Sequence, residues 1–356
     1  MNEDQKHNIQ YHNFWNFFKT REKELFDSVK SIEGIHGKFL NIISPKLKEI
    51  NENFFFITGM FDDDTAELII TVDGNIKDIV YAEELMEAAP KLDHWRFTAL
   101  KPETDIKDVS IRMGDYEFKK ENIFFYSNDD ENYPDEIDLT FIHEDLNEEN
   151  QHEIVNGTFI FIDNYLGELN FLTQIDNFRI TGKDEAEKEL IPIEKLKDFL
   201  SWREREFTEK YKGSKIQTNE DSYSLIEATL DNGFPLLATV NADLLQWDKK
   251  ASHPWISVLR IEYKGDEFSG FPDNDDYEKF NIIEDEMLLL LKPEEGNLNI
   301  GRETAENLRE IYFASKDFRQ ISKVLADTVN KYPEYNMTFE IYKDKYWQSF
   351  ERYGIN

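Results

Sequence analysis

Cysteine is absent from this chain of 356 residues. Its absence excludes disulfides, thiol nucleophiles, zinc–thiolate sites and iron–sulfur clusters together. Long apolar runs are missing too, and none approaches the ~18 residues that a membrane span requires. The first residues, MNEDQKHNIQYHNF, lack the basic start and apolar middle of a secretory signal. Glycine is scarce and scattered, and neither Gly-x-Gly-x-x-Gly nor Gly-x-x-x-x-Gly-Lys occurs, so a phosphate-cradling loop of either kind is excluded. There is no Gly-x-Ser-x-Gly elbow and no His-Glu-x-x-His helix. These gaps lead to the expectation of a cytoplasmic protein with no cofactor and no membrane contact.

Positive charge is also in short supply. Lys and Arg number 41 against 74 Asp and Glu, a formal charge of -33. Nucleic acid is therefore an unexpected partner, because a phosphate backbone is held by clustered Lys and Arg that displace counterions. The chain is nonetheless 14% aromatic, which a disordered acidic tail would not be. The charge is expected on the outside of packed domains, where it attracts cations or a basic protein. An acidic surface that only confers solubility is the plainer reading of the same numbers.

The length suggests two or three domains. A helical stretch from Ile193 to Tyr211, opened by Pro192, carries Leu196, Phe199, Leu200, Phe207 and Tyr211 roughly on one face. Small polar residues follow from Gly213 to Ser222. The expected division is an N-terminal domain over 1–212, a linker over 213–221 and a C-terminal domain over 222–356.

In the first domain, Phe14, Trp15, Phe17, Phe18, Leu25, Phe26 and Val29 approximate helical spacing and read as a core stripe. A helix from about Gly37 to Glu49 is expected to break near Pro45. Residues 53–58 and 66–72 read as strands joined by the turn Asp62-Asp63-Asp64, with Asp73-Gly74 ending the second. A helix over 81–89 and strands near 95–100, 123–126, 137–142, 158–162 and 168–173 complete a mainly antiparallel α+β domain.

In the second domain, Tyr223–Leu230 and Pro235–Val240 flank Asp231-Asn232-Gly233, a hairpin signal. Strand 255–263, helix 277–291, strands 298–302 and 310–314, helix 318–332 and strand 337–342 then follow. The order β-α-β-β-α-β is that of the ferredoxin-like split motif, a fold that carries no function by itself.

Residues 222–353 resemble a bacterial domain-of-unknown-function family, number 695. The resemblance rests on Gly233-Phe234-Pro235, His253-Pro254-Trp255, Gly301-Arg302-Glu303-Thr304, Arg309-Glu310-Ile311-Tyr312-Phe313, and the ending Asp344 with Trp347. Some members of that family look fused to, or similar in architecture to, the regulator-of-ribonuclease-activity B proteins, small acidic inhibitors of an endoribonuclease. The resemblance thus implies a protein-binding role by analogy. The N-terminal part resembles uncharacterised bacterial proteins.

Three constellations carry candidate chemistry. Asp62, Asp63, Asp64 and Asp73 would suit a hard cation if they met at one strand end; a hairpin turn accounts for the first three as well. Asp273 to Glu284 has an EF-hand-like start, but Glu278 replaces the required glycine, so Asp275 or Asp276 is expected to cap a helix. His253, Trp255 and Trp347 are a candidate anchor for a protein partner, or else core. His143, in His-Glu-Asp, could be a base with its orienting carboxylate, and reads more simply as a solvated strand end. The expected function is a non-catalytic interaction or regulatory protein that binds a basic protein, of the inhibitor or immunity type. The alternative is a metal-assisted hydrolase using the clustered carboxylates. Oligomeric state is not specified by these residues.

Overall fold

The computed structural model describes residues 3–31, 35–213, 217–218 and 220–354. The chain divides into two compact units, Met1–Phe207 and Thr208–Asn356. The expected linker over 213–221 falls partly outside the described residues. Among the described residues, no helix is long and apolar enough to cross a membrane.

The first unit opens with α1 (Glu3–Thr20), α2 (Glu22–Lys30) and α3 (Asn41–Lys48). Tyr11, Phe14, Trp15 and Phe18 of α1 are buried together with Leu25 and Val29 of α2. The aromatic stripe is therefore core, and the Trp15 indole donates to the Leu85 carbonyl at 2.7 Å. Pro45 lies inside α3 without breaking it. A π-helical stretch, Ile35–Leu40, runs directly into α3 ahead of it. Strands β1 (Phe55–Met60) and β2 (Ala66–Thr71) form an antiparallel hairpin, and α4 (Ile79–Glu87) leads to β3 (Trp95–Ala99), parallel to β2.

Next come the small hairpin β4 (Ile111–Met113) and β5 (Tyr116–Phe118), then β6 (Ile123–Asn128) and β7 (Asp138–His143). Helices α5 (Gln151–Leu166) and α6 (Glu168–Gln174) precede β8 (Asn177–Gly182), β9 (Ile191–Pro192) and α7 (Leu196–Tyr211). These helices correct two expectations, since 158–162 and 168–173 are not strands. Ile154, Thr158, Phe161, Ile162 and Tyr165 are buried on one side of α5. A short apolar run such as Thr158–Ile162 has the same composition in a buried strand and a buried helix, and only its longer spacing decides. Gly157 makes the packing possible, because a Cβ there would lie 2.0 Å from the Phe118 ring. The sheet order β8-β7-β6-β9 mixes one parallel and two antiparallel pairings.

The second unit holds β10 (Tyr223–Thr229), β11 (Pro235–Asn241), α8 (Ala242–Leu245), β12 (Trp255–Glu262) and α9 (Asn274–Leu290). It continues with β13 (Asn297–Ala305), β14 (Leu308–Ser315), α10 (Phe318–Lys331) and β15 (Asn336–Lys343). All neighbours in its six-stranded sheet, ordered β10-β11-β13-β14-β12-β15, are antiparallel. Strands β12 to β15 reproduce the 4-1-3-2 arrangement of the split βαβ motif, with the front hairpin joined through β11 to β13. The fold class is α+β.

The pleat sends alternate residues to opposite faces. Leu259, Ile261, Ile311 and Phe313 pack with Phe280, Ile283 and Met287 of α9 and with Ile321 and Leu325 of α10. On the other face Val240, Ile256, Val258, Ile300 and Tyr312 pack with Leu244 of α8 and with Trp347, Phe350 and Tyr353. The front hairpin differs in detail from the type I′ turn that Asn-Gly favours. Leu230 and Phe234 close a three-residue loop, and of its residues Gly233 has φ +88 while Asn232 has no positive φ. A left-handed glycine at the third loop position is the alternative hairpin solution.

Candidate functional site

The four aspartates proposed as a cation site are divided by β2. Asp62, Asp63 and Asp64 lie before it and Asp73 after it, roughly 20 Å apart at about 3.3 Å per strand residue. Asp62 accepts the backbone N–H groups of Asp64 and Thr65 at 2.9 and 2.7 Å. Those bonds, Asp64's first, hold its carboxyl below the ordinary range. It is a turn residue that stabilises its own loop. Asp73 occupies a left-handed turn at φ 48, between Val72 and Gly74, whose N–H groups both donate to the buried Glu168 carboxylate. Among the described residues no group of three or more His, Cys, Asp or Glu is arranged to hold a metal ion.

The helix α9 is capped by Asp273, which accepts the N–H of Asp276 at 2.9 Å. The cap is earlier than Asp275 or Asp276, which both fall in the first turn. Glu284, at the twelfth position of the EF-hand-like stretch, points inward instead. It receives Arg302 Nη1 at 3.1 Å and lies 3.6 Å from Arg309 Nη2. Arg309 also donates to Thr304 Oγ1 at 3.1 Å. Burial of a carboxylate against two guanidinium groups satisfies the charge internally and leaves nothing for calcium.

His253, Trp255 and Trp347 are all buried, so none offers a surface ring to a partner in this fold. They also do not form one cluster. Trp255 packs edge-on against Phe318 of α10, whereas Trp347 joins the core on the other face of the sheet. Trp247 stacks obliquely with both His253 and Trp347 at 5.4 and 6.3 Å. The Trp347 indole donates to the His253 carbonyl at 2.9 Å. Burial pushes the His253 imidazole down to about 3, with Lys316 adding a smaller effect in the same direction. His143 is likewise buried rather than solvated, and burial lowers its affinity for protons. Its Nδ1 accepts the Asp145 N–H at 3.2 Å.

A different feature stands out once the sheets are in place. Residues 121–178 contain fifteen Asp and Glu and no Lys or Arg. They build β6, β7, α5 and α6, and the chain leaves β7 at both ends through acidic loops. Asp129, Asp130 and Glu131 are exposed at one end, and Glu144, Asp145, Glu148 and Glu149 at the other. The signal was present in the sequence as a gap between Lys120 and Arg179, and total charge conceals it. The first unit holds 46 acidic and 23 basic residues, the second 28 and 18.

Beside the first of these loops, a polar cleft of about 510 Å³ opens along β6, β7 and β8. Asn128, Asp138 and Arg179 line it, with Asp129, Glu187 and Lys188 at its sides. Arg179 Nε donates to Thr140 Oγ1 at 2.8 Å and its Nη2 meets Glu187 at 3.3 Å. Lys188 reaches the Ser127 carbonyl at 2.7 Å and Asp129 at 3.7 Å. Both cations are thus held by protein acceptors. The cleft can hydrogen-bond a polar side chain, but its groups include no nucleophile paired with a base.

A family model described as "Family of unknown function (DUF695)" matches residues 226–353. The match covers the C-terminal third of the chain. No curated protein matches, and no solved structure matches. Within the DUF695 stretch, the shared-looking motifs have structural roles. Gly301 has φ 140 at a bulge in β13, and a Cβ there would lie 2.2 Å from the Thr239 carbonyl oxygen. Arg302, Thr304 and Arg309 belong to the network around Glu284. Glu310 accepts Arg260 Nε at 2.9 Å and the Tyr312 hydroxyl at 2.6 Å on the opposite face. Asp344 accepts the N–H groups of Gln348 and Ser349, both at 2.9 Å, and so fixes the final turn.

Proposed function

We propose that this chain is a non-catalytic regulatory protein that binds a basic protein through its acidic surface, acting in the cytoplasm as a stoichiometric inhibitor or immunity-type partner. The stretch of 58 residues from 121 to 178 without Lys or Arg carries the reading. It presents exposed carboxylates from both ends of β7: Asp129, where Lys188 already lies at 3.7 Å, with Asp130 and Glu131 at one end, and Glu144, Asp145, Glu148 and Glu149 at the other. Charge complementarity with a partner's Lys and Arg raises association rates and selects partners by charge. The inhibitor role rests on the likeness in architecture of the C-terminal family to ribonuclease regulators.

The reading is tested by affinity capture from the native host at low and high salt, with mass spectrometry of what is retained. A basic protein recovered at near-equal stoichiometry and released at high salt supports it. Recovery of no such protein at low salt removes its main support.

A further inference from the structure

The front hairpin leaves one edge of the six-stranded sheet open. In an antiparallel pair, residues alternate between those bonded to the neighbour and those whose N–H and C=O face away. Leu230 N–H donates to Phe234 O, and Ala242 N–H to Ser222 O. Positions 222 and 230 therefore bond toward β11, and the even residues between them follow. Tyr223, Leu225, Glu227 and Thr229 turn their backbone groups outward, beyond the last strand. Their side chains are exposed as well, Leu225 at 62% and Tyr223 at 53%. They lie on the face that α9 covers further in, above β13 and β14, where the register aligns Leu225 with Thr239, Arg302 and Ile311.

Edges of this kind are usually blunted by lysine, proline or a bulge. The far edge, β15, ends in Lys343. Strand β10 carries none of these devices and is regularly paired with β11 throughout. Its charge is instead of one sign: residues 216–248 include six Asp and Glu and no Lys or Arg. Two copies of this chain would bring two such hairpins together within a charge of -33 each, which disfavours self-pairing. An extended segment bearing Lys or Arg meets no such penalty.

We infer that the β10 edge binds an extended segment of the basic partner as a seventh strand. Main-chain bonds to Tyr223, Leu225, Glu227 and Thr229 supply the attachment, and alternate side chains read the surface. Apolar residues cover Tyr223 and Leu225, and a Lys or Arg pairs with Glu227. This rests on the basic-partner reading above and assigns it a second, main-chain contact.

The test uses the full chain with a capped nine-residue peptide of alternating lysine and valine, read by amide hydrogen exchange. Exchange at Tyr223, Leu225, Glu227 and Thr229 is expected to slow by at least ~10-fold on adding the peptide. Leu225→Pro removes an outward N–H that β11 does not use, so it keeps the hairpin and loses the protection. Glu227→Lys keeps every main-chain group and weakens protection by charge alone. Unchanged exchange overturns the inference, as does equal protection in Leu225→Pro or equal protection by a glutamate–valine peptide. Protection that grows with protein concentration without peptide also overturns it, in favour of a second copy. Salt-sensitive capture of a basic protein that persists undiminished in Leu225→Pro defeats the β10 assignment alone. Its absence from the unmodified chain defeats the wider reading.

Discussion

The indole N–H of Trp347 donates to the backbone carbonyl of His253 at 2.9 Å, joining positions 94 residues apart. With the bond from Asp344 N–H to the Pro254 carbonyl at 2.7 Å, it ties the end of the chain to the entry of β12. Trp347→Phe keeps an aromatic ring but removes part of its bulk, and leaves the His253 carbonyl buried without its donor. A loss of about 1–3 kcal/mol is expected, measured by urea unfolding of the C-terminal unit. A loss below a few tenths would show that the bond does not matter.

His253 links the same corner to pH. Its folded-state pKa lies near 3, below the ordinary value near 6.5. The unfolded state thus takes up the proton first as pH falls, so stability is present above about 6.5 and is lost progressively down to about 3. Between pH 7.5 and 5.5 the native protein is expected to lose about 1.4 kcal/mol more than His253→Gln does. Parallel pH profiles for the two proteins would contradict this.

Glu284 neutralises the buried Arg309 and the half-buried Arg302. Glu284→Gln leaves Arg309, only 2% exposed, without a carboxylate and is expected to cost about 3–5 kcal/mol. Chemical denaturation with a fluorescence readout measures the change. A near-neutral effect would place the compensation elsewhere.

Divalent cations provide the check on the rival hydrolase chemistry. Because β2 separates Asp62, Asp63 and Asp64 from Asp73, millimolar magnesium or calcium is expected to shift the melting temperature equally in the native protein and in a variant with all four changed to Asn. A shift confined to the native protein would restore the cation site.

The second unit was readable from sequence because its apolar spacing switches cleanly between two and about 3.6 residues, with glycines and prolines at the breaks. Phe280, Ile283, Met287, Phe318, Ile321 and Leu325 occupy the core positions that helical spacing assigns, whereas Leu290, expected inward on the same stripe, is exposed. The first unit was harder. Thr158–Ile162 has strand-like composition inside a helix, and its helical spacing shows only over the longer run from Ile154 to Leu166. Candidate sites suffered a different limit. His253 and Trp347 are conspicuous residue types, but their burial depends on a tail that folds back across the sheet. Asp62 and Asp73 are near in sequence and distant in space because a strand lies between them. The stretch without Lys or Arg between 121 and 178 was legible all along, though only when charge is counted locally.

Whether the acidic surface holds a basic partner is tested most directly by comparing capture by the native chain with capture by a variant in which Glu144, Asp145, Glu148 and Glu149 become Gln or Asn, at about 0.05 and 1 M salt. A near-equimolar basic protein is expected to be retained by the native chain at low salt, released at high salt, and strongly reduced on the variant. A partner held equally by both chains, or one unaffected by salt, would contradict that expectation.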